Sequence, residues 1–312
     1  MKRRNFLNAA MMTGIGGLTL PATAALYHSP ESVPGDLSGL NTTGNPGGEI
    51  RPRICLNAYS FNRPLRNGTV SLEEMFRFAA ATGFEGIDLT AYYIPEYPEV
   101  PDDKVLFDIK KMAFRYGLGI TGTGVRNDFT LPDAGERAKQ VQLVKNWIIA
   151  ASKMGAPHVR VFDGKYSGDE FTRAEVKSWI IEGFKECADF GAENGVMVAY
   201  QNHDDYIVYT PEIIEILETV PSEWFGLMLD IGSLPVADPY REIEKLIPYA
   251  ITWQVKENVK TGNGSKPTDI RRLMEIVDQS GYQGYFPLET LGEGDPFDKV
   301  QRLYSEVRAE MK

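Results

Sequence analysis

Two carboxylates stand at the ends of apolar runs. Asp230 follows Leu227-Met228-Leu229, and Glu289 follows Phe286-Pro287-Leu288. An acid that finishes a buried strand must be paired, hydrated or bound to a metal, because an isolated charge out of water is strongly disfavoured. Either acid alone reads equally well as a loop acid in solvent; two in equivalent places favour a shared site. Other polar residues hold matching positions. Gln201 and His203 follow the run from Val196 to Tyr200, and Gln254 and Lys256 close a run that begins at Ile251. Asn57 and Tyr59, Asp88, and the pair Arg160 and Asp163 end three more. Lys256 either holds an oxyanion or pairs with Glu257 or Asp230. His203, next to Asp204 and Asp205, is either a proton carrier or a satisfied loop residue.

These residues can share one place only if the elements beneath them are arranged for it. The stretch Val196-Met197-Val198-Ala199-Tyr200 is a short apolar run bounded by Gly195 and a polar cluster, the pattern of a strand buried on both faces. Similar runs begin at Ile54, Phe84, Leu118, Pro157, Phe225, Ile251 and Tyr285. Helical segments separate them. Ser71 with Glu74 forms a capping box before one that stops at Gly83, and others run from Asp102 to Gly117, Ala134 to Met154 and Thr172 to Asn194. Further helices follow from Thr210-Pro211 through Thr219, from Asp238-Pro239, from Pro267 to Ser280 and from Pro296 to Met311.

Strand then helix, repeated eight times at spacings of about 25 to 40 residues, calls for parallel strands joined by crossovers. Eight such units predict an α/β fold, the closed (β/α)8 TIM barrel, with an open doubly wound sheet as the alternative. In the barrel all strand C-termini open on one mouth. No G-x-G-x-x-G follows the first strand and no P-loop signature occurs, so nucleotide-binding sites of those kinds have no support. The glycines from Gly119 to Gly124 lie at a strand end, where close backbone approach explains them.

Three segments divide the chain. Residues 1–25 carry Arg3-Arg4, an apolar stretch and Ala22-Thr23-Ala24, and resemble a twin-arginine signal with its cleavage site, which implies export to the periplasm. The apolar part contains Thr, Gly and Pro and is too short for a stable membrane span. Residues 26–53 are rich in Pro, Gly, Ser and Asn and read as a flexible linker or arm. Residues 54–312 are the barrel domain, the usual size for one. The chain has formal charge -10, which becomes -13 once Lys2, Arg3 and Arg4 are removed, so a nucleic-acid backbone is excluded as partner. Cys55 and Cys187 lie in a strand and a helix and read as buried free thiols, without disulfide framework or zinc spacing.

The motifs GFEGIDL, RVFDG, QNH, LDIGS, QVKEN and PLE, in this order, resemble the xylose isomerase-like TIM barrels, the sugar phosphate isomerase/epimerase group. The resemblance runs from Ile54 to the end of the chain. It implies a divalent metal held by four strand-end side chains, here Gln201, Asp230, Gln254 and Glu289, where the family typically has Glu, Asp, His and Glu. Asp230 and Glu289 match, whereas Gln201 and Gln254 replace charged or imidazole ligands by amides. An all-oxygen set of this kind suits Mg, Mn or Ca better than zinc; without a metal, no other cofactor is implied. The family's paired carboxylates are lost with Gln201, which leaves Glu289 as one catalytic base with His203, Lys256 or Asp204 as its partner, and the strand-end residues Asn57, Tyr59, Asp88 and Arg160 as expected substrate contacts. The expected activity is isomerisation or epimerisation of a sugar or keto-sugar, or a related lyase reaction, through an enediolate. The alternative is a degenerate barrel that binds a carbohydrate without turnover. The partner in either case is a small sugar or keto-sugar, and an oligomer is left open.

Overall fold

The computed structural model describes residues 52–311. The export leader expected over residues 1–25, and the arm expected over 26–53 up to residue 51, lie outside the described residues. Eight parallel strands close into a barrel: β1 (Arg53–Asn57), β2 (Gly86–Thr90), β3 (Gly119–Gly124), β4 (His158–Val161), β5 (Met197–Gln201), β6 (Phe225–Asp230), β7 (Ala250–Lys256) and β10 (Tyr285–Glu289). Closure is made by β1, which pairs with β2 on one side and β10 on the other. The (β/α)8 expectation is therefore met, and the open sheet is not.

The connecting helices are α1 (Asn62–Arg66), α2 (Leu72–Thr82), α3 (Asp103–Arg115), α4 (Ala134–Met154), α5 (Arg173–Asn194), α6 (Thr210–Thr219), α7 (Pro239–Leu246), α8 (Ile270–Ser280) and α9 (Pro296–Glu310). Their ends follow local chemistry. Ser71 and Thr172 each accept from the backbone N–H of a glutamate three residues on, whose side chain returns to the cap. Four helices, α2, α4, α5 and α8, end on a left-handed glycine, at Gly83, Gly155, Gly195 and Gly281. That backbone conformation is disfavoured for residues with a Cβ, so glycine turns the chain from the helix toward the next strand. Among the described residues no helix is long and apolar enough to cross a membrane.

The core lies between barrel and helices. Strands β2 and β6 are buried along their whole length, as expected where helices cover one face and the barrel interior the other. Phe184 from α5 packs against Tyr200 of β5 and Phe225 of β6, and Trp147 of α4 donates its indole N–H to the Pro98 carbonyl. Cys55 and Cys187 are buried free thiols, and burial raises both pKa values.

Two segments depart from the sequence pattern. The apolar run expected as one strand from Ile251 to Val259 is broken at Glu257. Beyond it, β8 (Asn258–Thr261) and β9 (Gly264–Pro267) form an antiparallel hairpin outside the barrel. The helix expected from Pro267 starts at Ile270, because Pro267 is in β9 and Asp269 supplies the cap, accepting from the Arg272 N–H.

Candidate active site

At the C-terminal mouth lies a cavity of about 440 Å³ lined by Asn57, Tyr59, Arg66, Thr90, Tyr92, Arg126, Arg160, Phe162, Gln201, His203, Gln254, Lys256, Glu289 and Leu291. Every barrel strand except β6 contributes a residue at or just beyond its end. The β3 side is represented by Arg126. A larger cavity of about 700 Å³ lies between the loops after β1 and β10 and shares only Tyr59 and Leu291 with the mouth. It lacks the converging buried charges, so the chemistry is placed in the smaller one.

The centre of the mouth is Lys256. Its Nζ donates to Asp230 Oδ2 at 2.7 Å and stands 3.3 Å from Glu289 Oε2. Burial by itself would lower the ammonium pKa, but the charges of Asp230 and Glu289 outweigh it and raise it above the usual lysine value. Lys256 is therefore a fixed cation at neutral pH. Its aliphatic stem passes Gly232, where an added Cβ would lie 2.4 Å from Lys256 Cδ. The lysine carbonyl accepts from Thr268 Oγ1 at 2.6 Å, which fixes the end of β7.

Asp230 forms the floor. Its Oδ2 accepts from Gln201 Nε2 at 2.7 Å and Ser233 Oγ at 3.1 Å as well as from Lys256, and its Oδ1 accepts from the Gly232 N–H at 2.9 Å. Asn202 clamps β5 to β6, donating to the Asp230 carbonyl and accepting from the Asp230 N–H, both at 2.9 Å. Asn127 does the same for Phe162 after β4, at 2.7 and 2.9 Å. Each clamp satisfies two backbone groups that the ladder leaves open where the strands end.

Opposite lies a second cationic wall. Arg160 Nη1 donates to the Val125 carbonyl at 2.7 Å and to Tyr92 Oη at 3.1 Å, and its guanidinium carbon sits 4.1 Å from the Phe162 ring centre. Arg126 lies over the same ring at 5.0 Å. Gly124 makes room for Arg160, since a Cβ there would fall 2.8 Å from Arg160 Nε. The ring of His203 packs edge-on against Phe162 with centres 4.8 Å apart, and its Nδ1 is 3.3 Å from Asp205 Oδ2. Asp205 would be raised by burial, but His203 and Lys165 hold its carboxyl below the ordinary value.

Of the residues expected at the site, Asn57, Tyr59, Arg160, Gln201, His203, Gln254, Lys256 and Glu289 line the cavity together. Asp230 lies directly beneath, in contact with Gln201 and Lys256. Asp88 does not reach the cavity. Strand β2 continues to Thr90, and residues two apart share a face, so Thr90 is the mouth residue and Asp88 sits one layer lower. There its Oδ2 is 3.9 Å from His158 Nε2. Arg66, Tyr92, Arg126, Phe162 and Leu291 were not anticipated. They stand on loops, on the short α1 for Arg66 and in the 3-10 turn Ala91–Tyr93 for Tyr92, and only Phe162 lies in a motif, RVFDG, that marks it.

The four oxygen-bearing residues expected to hold a metal come close, but their donor set does not fit a divalent ion. Asp230 already accepts four hydrogen bonds, one of them from the amide of Gln201, and the Lys256 ammonium lies against both Asp230 and Glu289. Among the described residues no three His, Cys, Asp or Glu side chains are grouped to hold a cation.

Comparison with known proteins agrees with the barrel. The family model described as xylose isomerase-like TIM barrel matches residues 76–308. Inosose dehydratase from Geobacillus thermodenitrificans is 24% identical over 273 residues, covering 75% of this chain and 86% of that protein. The apo structure of 3-keto-D-glucoside 4-epimerase from E. coli superposes with TM-score 0.68 at 13% identity, over 83% of this chain and 100% of the other. A xylose isomerase-like TIM barrel protein from Mycobacterium smegmatis in complex with magnesium gives TM-score 0.62 at 18% identity, over 82% of this chain and 98% of the other.

Proposed function

The chain belongs to the xylose isomerase-like TIM barrel family and is an enzyme of it; from that premise we propose that it removes a proton from the carbon next to the carbonyl of a sugar or keto-sugar. The observation that carries this reading is the adjacency of Glu289 and Lys256 at the mouth. Glu289 Oε2 accepts no hydrogen bond and lies 3.3 Å from a fixed ammonium. Such a pair suits deprotonation: the carboxylate takes the C–H proton, and the ammonium stabilises the charge that develops on the neighbouring oxygen. Arg160 offers a second cation across the cavity.

The enediolate so formed is common to isomerisation, epimerisation and dehydration. Inversion at one carbon needs acid–base groups on both faces. Gln201 cannot ionise, so a second proton carrier in this mouth would have to be His203 or one of the tyrosines, Tyr59 and Tyr92. Isomerisation and loss of water can each proceed with Glu289 alone returning or delivering the proton. This favours a one-base reaction, with a keto-sugar or keto-inositol of the kind named for the similar proteins as substrate.

The test is solvent exchange. The protein is incubated in D2O with 3-keto-D-glucoside or inosose, and the proton next to the carbonyl is followed by NMR. Exchange is expected with the wild type. Glu289→Gln should slow it by about 100-fold or more while leaving ligand binding measurable. Binding of these sugars without exchange in the wild type would favour a carbohydrate-binding barrel instead.

A further inference from the structure

We propose that the Lys256 ammonium takes the place of a divalent cation between Asp230 and Glu289, so that the polarising charge of this site is built into the chain. The inference deepens the proton-abstraction reading and rests on it for its chemical role. Its geometric basis is separate. A cation bound by this ring of strand ends would have to contact both carboxylates, and the contacts at 2.7 and 3.3 Å are made by Lys256 Nζ. The side chain is seated for that position. Gly232 leaves the space its stem fills, and an alanine methyl there would lie 2.4 Å from Cδ.

The two amides fit the same account. A divalent ion between two carboxylates gains from further anionic ligands, whereas a single positive charge is already outnumbered by Asp230 and Glu289. A third carboxylate at Gln201 would widen that excess to two negative charges over the lysine. The Gln201 amide instead donates to Asp230 Oδ2 at 2.7 Å, using the NH2 group that a metal-binding amide would turn away from the ion. An ammonium has three N–H donors. Asp230 and Glu289 face two, and the third is left for a substrate oxygen in the cavity. During proton abstraction Glu289 accepts the C–H proton, the electron pair moves onto the carbonyl oxygen, and Lys256 donates a hydrogen bond to that oxygen while keeping its proton.

The test uses the full chain and manganese chloride, with no substrate present. Wild-type protein, Lys256→Met and Lys256→Met/Asp230→Asn are titrated by calorimetry, and thermal unfolding is recorded with and without Mn²⁺. The wild type should take up no stoichiometric Mn²⁺. Lys256→Met should bind one ion per chain at least tenfold more tightly than the wild type and unfold at higher temperature in its presence; the double variant should lose that response. If Lys256→Met folds only when Mn²⁺ is supplied, the ion has replaced the ammonium and the proposal stands. One tightly bound Mn²⁺ per wild-type chain would overturn it. So would a folded Lys256→Met that binds none, or an unfolded one that Asp230→Asn rescues and Mn²⁺ does not. None of these outcomes depends on turnover, so failure here leaves the solvent-exchange test of the proton abstraction unaffected.

Discussion

Gln201 illustrates how a residue can be legible in place and illegible in role. Its position after an apolar run puts it at a strand end, and β5 ends there. The sequence does not show which way its amide points, because that depends on Asp230 and Lys256, which are 29 and 55 positions away. With Gln201 Nε2 donating to Asp230, a carboxylate at this position would replace a buried hydrogen bond by a like-charge contact. We expect Gln201→Glu to destabilise the metal-free protein by about 2–4 kcal/mol. Denaturant unfolding in the presence of a chelator measures this directly. An unchanged midpoint would mean that the amide is not bonded to Asp230 as described. Lys256 was equally visible as a residue, with oxyanion binding and pairing to Asp230 both open. The structure shows the pairing, and the geometry leaves a donor for the other role as well.

At the level of elements, the strands were readable because each apolar run stops abruptly, and the helices because their caps and glycines are local signals. The β8–β9 hairpin was not, since Asn258-Val259 continues the alternation of β7 and only tertiary placement separates them. Asp88 was misplaced by one layer for a related reason: strand length, not the position of the first polar residue, decides what reaches the mouth. Its burial has a consequence for stability. Removal from solvent pushes the Asp88 carboxyl up to about 7, with Arg160 opposing and Glu289 reinforcing the shift, while burial and then Arg160 push His158 down to about 4. Between about pH 4 and pH 7 the folded chain therefore holds a proton on Asp88 that the unfolded chain has released, so this group's contribution to stability falls as pH rises through that window and levels off above it. Asp88→Asn removes the ionisation but keeps the shape. Its free energy of unfolding relative to wild type, measured by denaturant titration, should climb from pH 4 to pH 7, reaching a gain of at most ~4 kcal/mol. A constant difference across that range would show that Asp88 titrates normally. The glycines of β3 give a second element-level expectation. Gly124→Ala should leave the barrel folded by circular dichroism yet slow catalysis by about tenfold or more, because its Cβ would push Arg160 off its seat between Val125 and Phe162.

For the whole molecule, charge is distributed against the average. The chain carries -10, yet Arg66, Arg126, Arg160 and Lys256 line the mouth, where Glu289 is the one carboxylate among the lining residues and Asp230 lies beneath Lys256. Arg66 and Arg126 are exposed at the rim, where fields act through solvent. Clustered charge of one sign in a cleft concentrates ligands of the opposite sign, and salt weakens the effect over a Debye length of about 8 Å at physiological ionic strength. A keto-sugar bearing a carboxylate or phosphate should therefore be turned over with a kcat/KM that falls as sodium chloride is raised. A neutral keto-sugar of the same size should show little change. Arg126→Glu should lower kcat/KM for the anionic substrate on the order of tenfold and nearly spare the neutral one, since this side chain is held over Phe162 rather than in the buried charge network. The comparison is made on initial rates at two ionic strengths for each substrate. Equal responses of both substrates to salt and to Arg126→Glu would assign the rim arginines to packing on Phe162 and leave Lys256 and Arg160 as the cations that matter to the reaction.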